Sequence, residues 1–364
     1  MVLYILIAIL MFGLLIAVHE FGHFAAAKLL GVRVNEFAIG MGPLLWSRQK
    51  GETQYSLRAI PMGGFCAMEG EDDASDDPGA FSSKPGWKKF IILVAGAFMN
   101  FLTGALLILL VFALGQRPAE PVVTSYMPGA ESVAQSGILI GDELYRVDGH
   151  RIYFRSDATM FLERAGETVD LELIRNGQRL VLEGVSLPAK YPVVVDGETV
   201  YKRGLQMEGT DAPSTLGAVL RDTWYQSIDY VRMVWMGLSD LVTGAVGLQD
   251  MSGPIGIVNI IGEAGEQGAQ AAVQQGASPV AWAAINILGF VAFIAINLAV
   301  MNLLPIPALD GGRIFFLLVN WVFALFARRR LDPKYEGYVN MAGFLCLILL
   351  MVVVAVNDVM KLIG

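Results

Sequence analysis

Histidine is close to missing from this chain, with three residues in 364, and cysteine is scarcer, with only Cys66 and Cys346. Two widely separated cysteines make neither a disulfide framework nor a cysteine-based metal site. Charge is thin as well. Asp, Glu, Lys and Arg supply 16% of the residues against 55% apolar, where a soluble domain carries about 25% charged. With a mean hydropathy of +0.54, that balance excludes an ordinary soluble globule. The net charge of -8 speaks against nucleic acid as a partner, because phosphate binding needs a basic surface. The N-terminal apolar run also lacks a basic leader and a small-residue cleavage site. It is therefore expected to stay as a transmembrane helix, not to be removed as a signal peptide.

Against this poverty of histidine, two of the three fall in one motif, His19-Glu20-Phe21-Gly22-His23, at the end of the uncharged stretch from Met1 to Val18. On a helix, residues four apart project from one face, so both imidazoles are able to grip one zinc ion while Glu20 leans over the same site. The motif belongs to zinc hydrolases, yet here it is embedded in a membrane-spanning sequence. The bland reading, two helix-end histidines at a membrane interface, leaves the glutamate unexplained.

Four apolar runs are long enough to span a bilayer, which takes about 20 residues: Val2 to about Phe24, Phe90 to Gly115, Ala281 to Leu309, and about Val339 to Val356. The expected class is a polytopic α-helical membrane protein with about four transmembrane helices. The second run is uncharged and carries Asn100. Prolines and glycines break the end of the third, and broken backbone at membrane depth is tolerated where it is buried in protein or lines a wet cavity. Lys84, Lys88 and Lys89 precede the second run, and Arg328, Arg329, Arg330 and Lys334 separate the third from the fourth. Short basic loops face the cytosol. Both termini and the long Arg117 to Pro279 region are then expected outside, with the metal toward the cytosolic side.

Between the first two runs, Val34 to Met68 alternates like strands and reads as a membrane-associated hairpin or small sheet on the cytosolic side. Glu69 to Asp77 is an acidic, solvated loop. From Leu216 to Leu248, apolar residues recur at helical spacing, as in an amphipathic helix lying on a core or a membrane surface.

Together, His19-Glu20-Phe21-Gly22-His23, Asn302-Leu303-Leu304-Pro305-Ile306-Pro307-Ala308-Leu309-Asp310-Gly311 and Ser252-Gly253-Pro254-Ile255-Gly256 resemble the bacterial branch of the site-2 protease family of intramembrane zinc metalloproteases. The stretch Gly137-Ile138-Leu139-Ile140-Gly141-Asp142 is similar to the PDZ-like domains that such proteases carry. The resemblance implies zinc (Zn2+) held by His19, His23 and Asp310, with Glu20 as catalytic base. A catalytic zinc takes three protein ligands and an open position, and a carboxylate ending an apolar span needs a partner. Glu36 is a weaker competitor for the third place, and His150 lies in the outer region. The resemblance further implies substrate or oxyanion binding by Asn302, with Pro305 and Pro307 in the same motif and Gly40, Met41 and Gly42 on the hairpin. An interhelical hydrogen bond is the bland alternative for Asn302.

The expected order is then a first span over 1–30, a β region and acidic loop over 31–89, and a second span over 90–115. An extracytoplasmic PDZ-like α+β domain over 116–208 and an amphipathic helix with linker over 209–280 follow. A third span over 281–313, a cytosolic loop over 314–338 and a fourth span over 339–364 complete it. The implied activity is cleavage of transmembrane segments in pre-trimmed single-pass proteins such as anti-sigma factors or signal-peptide remnants, in regulated intramembrane proteolysis at the bacterial inner membrane. The sheet edge from Phe37 to Met68 is the candidate for holding an unwound substrate, notably at Ile39 and Met41. The PDZ-like domain either binds substrate carboxyl termini or filters by size. A catalytically dead PDZ-bearing scaffold is the alternative, against which Glu20 counts. A metal transporter would need more polar residues along its spans.

Overall fold

The apolar runs become long helices because a bilayer leaves backbone groups no partner except one another. In the computed structural model, which describes residues 2–71, 75–195, 198–208, 215–247, 251–327 and 333–363, four helices are long and apolar enough to cross a membrane. They are carried by α1 (Val2–Leu29), α2 (Gly86–Ala113), α6 (Pro279–Asn302) and α8 (Pro333–Ile363). The protein is a polytopic membrane protein with small sheets. Arg328, Arg329 and Arg330 of the basic cluster, and Asp72 and Asp73 of the acidic loop, lie outside the described residues.

The chain divides into two units, Met1–Val111 with Tyr230–Gly364, and Phe112–Asp229. In the first, α1 packs one stretch (Ala8, Met11, Leu15) against Ile261, Ile294 and Ala295. Its other end, with Ala26 and Ala27, joins Val34, Cys66, Met68, Ile92 and Leu93. Gly22 marks the crossing of α1 and α2: a Cβ there would lie 2.3 Å from the carbonyl oxygen of Ala95. Small residues allow such close helix approach in membranes.

The strands β1 (Val34–Lys50) and β2 (Thr53–Met68) form one sheet, and their register is more folded than a simple hairpin. Leu44 to Lys50 pair with Arg58 to Thr53, as a hairpin requires. Residues 36–39, however, have partners on both sides, Ala67 to Gly64 on one and Gln54 to Leu57 on the other. The chain turns at Gly40 and Gly42, whose φ of 84° and 80° suit glycine. Ile39 is thus interior to the sheet, which corrects its placement at a substrate-binding edge. The outer stretches are 44–50 and 64–68.

Two further corrections concern helices. The segment 209–280 holds two of them, α4 (Leu216–Thr243) and α5 (Pro254–Gln275), where a single helix and a linker were expected. Within α5, Gly268 sits against α6, where a Cβ would meet the Trp282 carbonyl oxygen at 2.6 Å. The third apolar run stops at Asn302, and Asp310 opens a separate helix, α7 (Asp310–Ala327), where the end of a span and a cytosolic loop were expected. The apolar run from Ile314 to Phe326 accounts for that helix.

In the second unit a four-stranded sheet runs in the order β5 (His150–Arg151), β4 (Glu143–Val147), β6 (Thr168–Arg175), β7 (Gln178–Ser186). Helix α3 (Arg155–Arg164) adjoins it, and β3 (Ser125–Tyr126) pairs with β10 (Leu205–Gln206). A separate pair joins β8 (Tyr191–Val195) to β9 (Glu198–Lys202). Asp142 organises the turn before β4, accepting from the Leu139 N–H and the Arg175 guanidinium. Burial works to raise its carboxyl pKa, and those donors outweigh it and hold it below the ordinary range.

Candidate metal centre

Helical spacing puts His19 and His23 on one face of α1, and their Nε2 atoms lie 3.2 Å apart with the rings edge-on. Asp310 arrives from the first turn of α7, after a turn that includes Pro305, Pro307 and Ala308, the last at φ 72°. Its Oδ2 stands 3.1 Å from Nε2 of His19 and 3.3 Å from Nε2 of His23. That oxygen is buried and has no hydrogen-bond partner. The contacts to the histidines are close in distance without the geometry of hydrogen bonds, as expected where three lone pairs converge.

This donor set fits zinc. Ligands about 2.0–2.1 Å from one tetrahedral ion lie about 3.3–3.4 Å from one another, close to the three separations seen here. Among the described residues, His19, His23 and Asp310 are the one group of three or more metal-binding side chains. His23 is oriented from behind, since its Nδ1 donates to the Ile92 carbonyl at 2.8 Å. That bond places the proton on Nδ1 and leaves the Nε2 lone pair for a metal.

Helix α2 gives the imidazoles room. A Cβ at Gly96 would lie 2.4 Å from Nε2 of His23 and 2.7 Å from Cε1 of His19. One turn later, Asn100 is 1% exposed, with Nδ2 3.4 Å from Nδ1 of His19. Neither residue carries a motif that assigns it to a site. A lone amide in an uncharged span is the only signal the sequence offers for Asn100.

Glu20 follows the first histidine, and β2 passes beside it: a Cβ at Gly64 would be 3.5 Å from its Cγ. Asn302, at the end of α6, is brought to the site, with Nδ2 3.4 Å from Nδ1 of His19. Gly40, Met41 and Gly42 lie at the turn of β1, where Met41 pairs with Ile60. Pro305 and Pro307 serve the turn before Asp310, and Ala308 donates to Asn340 there at 3.3 Å. Glu36 is engaged elsewhere, accepting from Ser56 and Arg58. His150 belongs to the second unit, its ring stacked on Phe161 at 4.6 Å.

Comparison with known proteins agrees with this chemistry. The family model of peptidase family M50 matches residues 7–350. A protein of Clostridium perfringens named as a candidate zinc metalloprotease is 37% identical over 359 residues, covering 98% of each chain. A counterpart in Clostridium acetobutylicum is 36% identical over 98% of this chain and 97% of its own. The regulator of sigma-W protease RasP of Bacillus subtilis is 26% identical over 97% of each.

Proposed function

The chain belongs to peptidase family M50 and is an intramembrane zinc metalloprotease; from that premise we propose that it cleaves the transmembrane segments of single-pass membrane proteins already trimmed on the outside. The convergence of His19 Nε2, His23 Nε2 and Asp310 Oδ2 beside Glu20 carries this reading. Anti-sigma factors and signal-peptide remnants are the substrates it suits, in regulated intramembrane proteolysis at a bacterial inner membrane. The name of the Bacillus subtilis relative, a regulator of sigma-W, points the same way.

In this proposal His19, His23 and Asp310 hold the zinc, which when bound acidifies a water toward neutrality and polarises the scissile carbonyl. Glu20 would take a proton from the attacking water as the water oxygen bonds to the scissile carbonyl carbon. When the carbon–nitrogen bond breaks, Glu20 returns the proton to the leaving amine. Asn302 has an amide N–H2 group to offer the oxygen on which negative charge develops. Glu20→Gln should keep its zinc and lose cleavage of a transmembrane substrate by at least about a hundredfold, the lower range for a lost acid–base group. Cleavage near the wild-type rate would remove Glu20 from this role.

A helical substrate hides its carbonyls, so it has to be unwound and held extended. The stretch 64–68, at the outside of the sheet and passing Glu20, is the edge we assign to that task in place of Ile39. The second unit is read as an extracytoplasmic PDZ-like domain. A cavity of about 350 Å³ is lined by Arg155, Thr159 and Leu162 with Glu163, Lys202 and Leu205, and Lys202 there is paired with Glu163; the domain either binds a substrate carboxyl terminus at it or filters by size. By the basic-loop argument both termini lie outside, with the zinc toward the cytosol.

A further inference from the structure

The two imidazoles of α1 differ in what lies behind them. His23 donates from Nδ1 to a carbonyl oxygen, which can only accept. His19 also turns Nε2 toward Asp310 Oδ2, so as a ligand through that atom it must carry its proton on Nδ1. The groups nearest Nδ1 are two amides, Asn100 and Asn302, each with Nδ2 at 3.4 Å. Three donors would then meet with no acceptor among them. Meanwhile the Oδ1 of Asn100 is buried without a partner.

Oxygen and nitrogen of a side-chain amide are alike in shape, so hydrogen-bond chemistry decides which one faces the ring. Exchanging them at Asn100 gives His19 Nδ1–H an acceptor and the orphaned oxygen a donor in one change. Burial selects Asn100 over Asn302 for this duty. Asn100 is 1% exposed on α2, whereas Asn302 is half-buried at the helix end and free to turn toward a bound peptide.

We propose that Asn100 is a positioning residue whose Oδ1 accepts the Nδ1–H of His19, fixing the tautomer that presents Nε2 to zinc and leaving the Asn302 amide for the substrate. The proposal rests on the reading of His19 as a metal ligand. Partners of this kind behind a metal-binding histidine raise metal affinity and activity by about 10–100-fold. Acceptance, rather than donation, is the property at stake.

The test is zinc retention by the purified full-length protein against a graded chelator, with the visible spectrum of the cobalt(II)-substituted protein as a second readout. Asn100→Asp keeps an acceptor and loses the donor, and should hold zinc within about threefold of wild type with the cobalt spectrum preserved. Asn100→Leu should bind zinc about 10–100-fold more weakly and alter that spectrum. Asn100→Ala, which adds no bulk, makes the same comparison if the leucine variant does not fold. His19→Ala separates the two layers. If it keeps its zinc, the underlying assignment of His19 fails. If it loses zinc while Asn100→Asp is as weak as Asn100→Leu, or neither is weakened, the role of Asn100 fails.

Discussion

Each side chain of the centre is fixed by a different local cause. The histidines are set by helical periodicity, and the pair is legible from five residues of sequence because the contact spans one turn. Asp310 is far away in sequence, and only its motif and its need for a partner single it out. Gly96 and Asn100 were not legible, because their meaning depends on which helix α2 crosses. Gly96 leads to a sharp expectation. Gly96→Ala puts a methyl 2.4 Å from Nε2 of His23, so zinc affinity should fall by about tenfold or more, as when the support behind a metal-binding histidine is lost. Unchanged affinity in a chelator titration would mean that α2 does not confine the imidazoles.

At the scale of elements, the four long helices follow from apolar runs that leave the backbone no other solution. The sheet shows where that reading stops. Alternation predicts strands between residues 34 and 68, but not that residues 36–39 would be flanked on both sides, since register is a long-range property. Helix α5 is harder to read from sequence because one of its glycines, Gly268, serves close packing against α6 instead of ending a helix. Helix α7 is harder to read because the apolar stretch after Asp310 continues directly from the third apolar run, and only the turn over residues 303–309 separates the two helices. The sheet gives its own prediction. A photoreactive phenylalanine analogue at Phe65, on the stretch beside Glu20, should crosslink to a transmembrane substrate, while the same group at Trp46, on the opposite edge, should not. The reverse pattern would place the substrate on the 44–50 side.

For the whole molecule, the sequence separates a membrane unit from a polar one, and the chemistry lies in the first. Residues from α1, α2, α6 and α7 meet around one point, joined by the ends of helices and by the turn after Asn302. The orientation we propose sets Glu183, on β7 of the second unit, outside the cell membrane. In intact cells a Glu183→Cys variant should react with a membrane-impermeant maleimide, and Gln49→Cys, at the tip of the sheet, should react only after lysis. Labelling of Gln49→Cys in intact cells would invert the topology.

If α1 and α7 share one metal ion, the zinc content of the purified protein depends on ligands from both helices. Purified wild type and Glu20→Gln should each carry about one zinc per chain, and Asp310→Ala should lose it on dialysis against a chelator that leaves the wild type loaded. A full complement of zinc in Asp310→Ala, equally resistant to the chelator, would mean that α7 supplies no ligand to the metal.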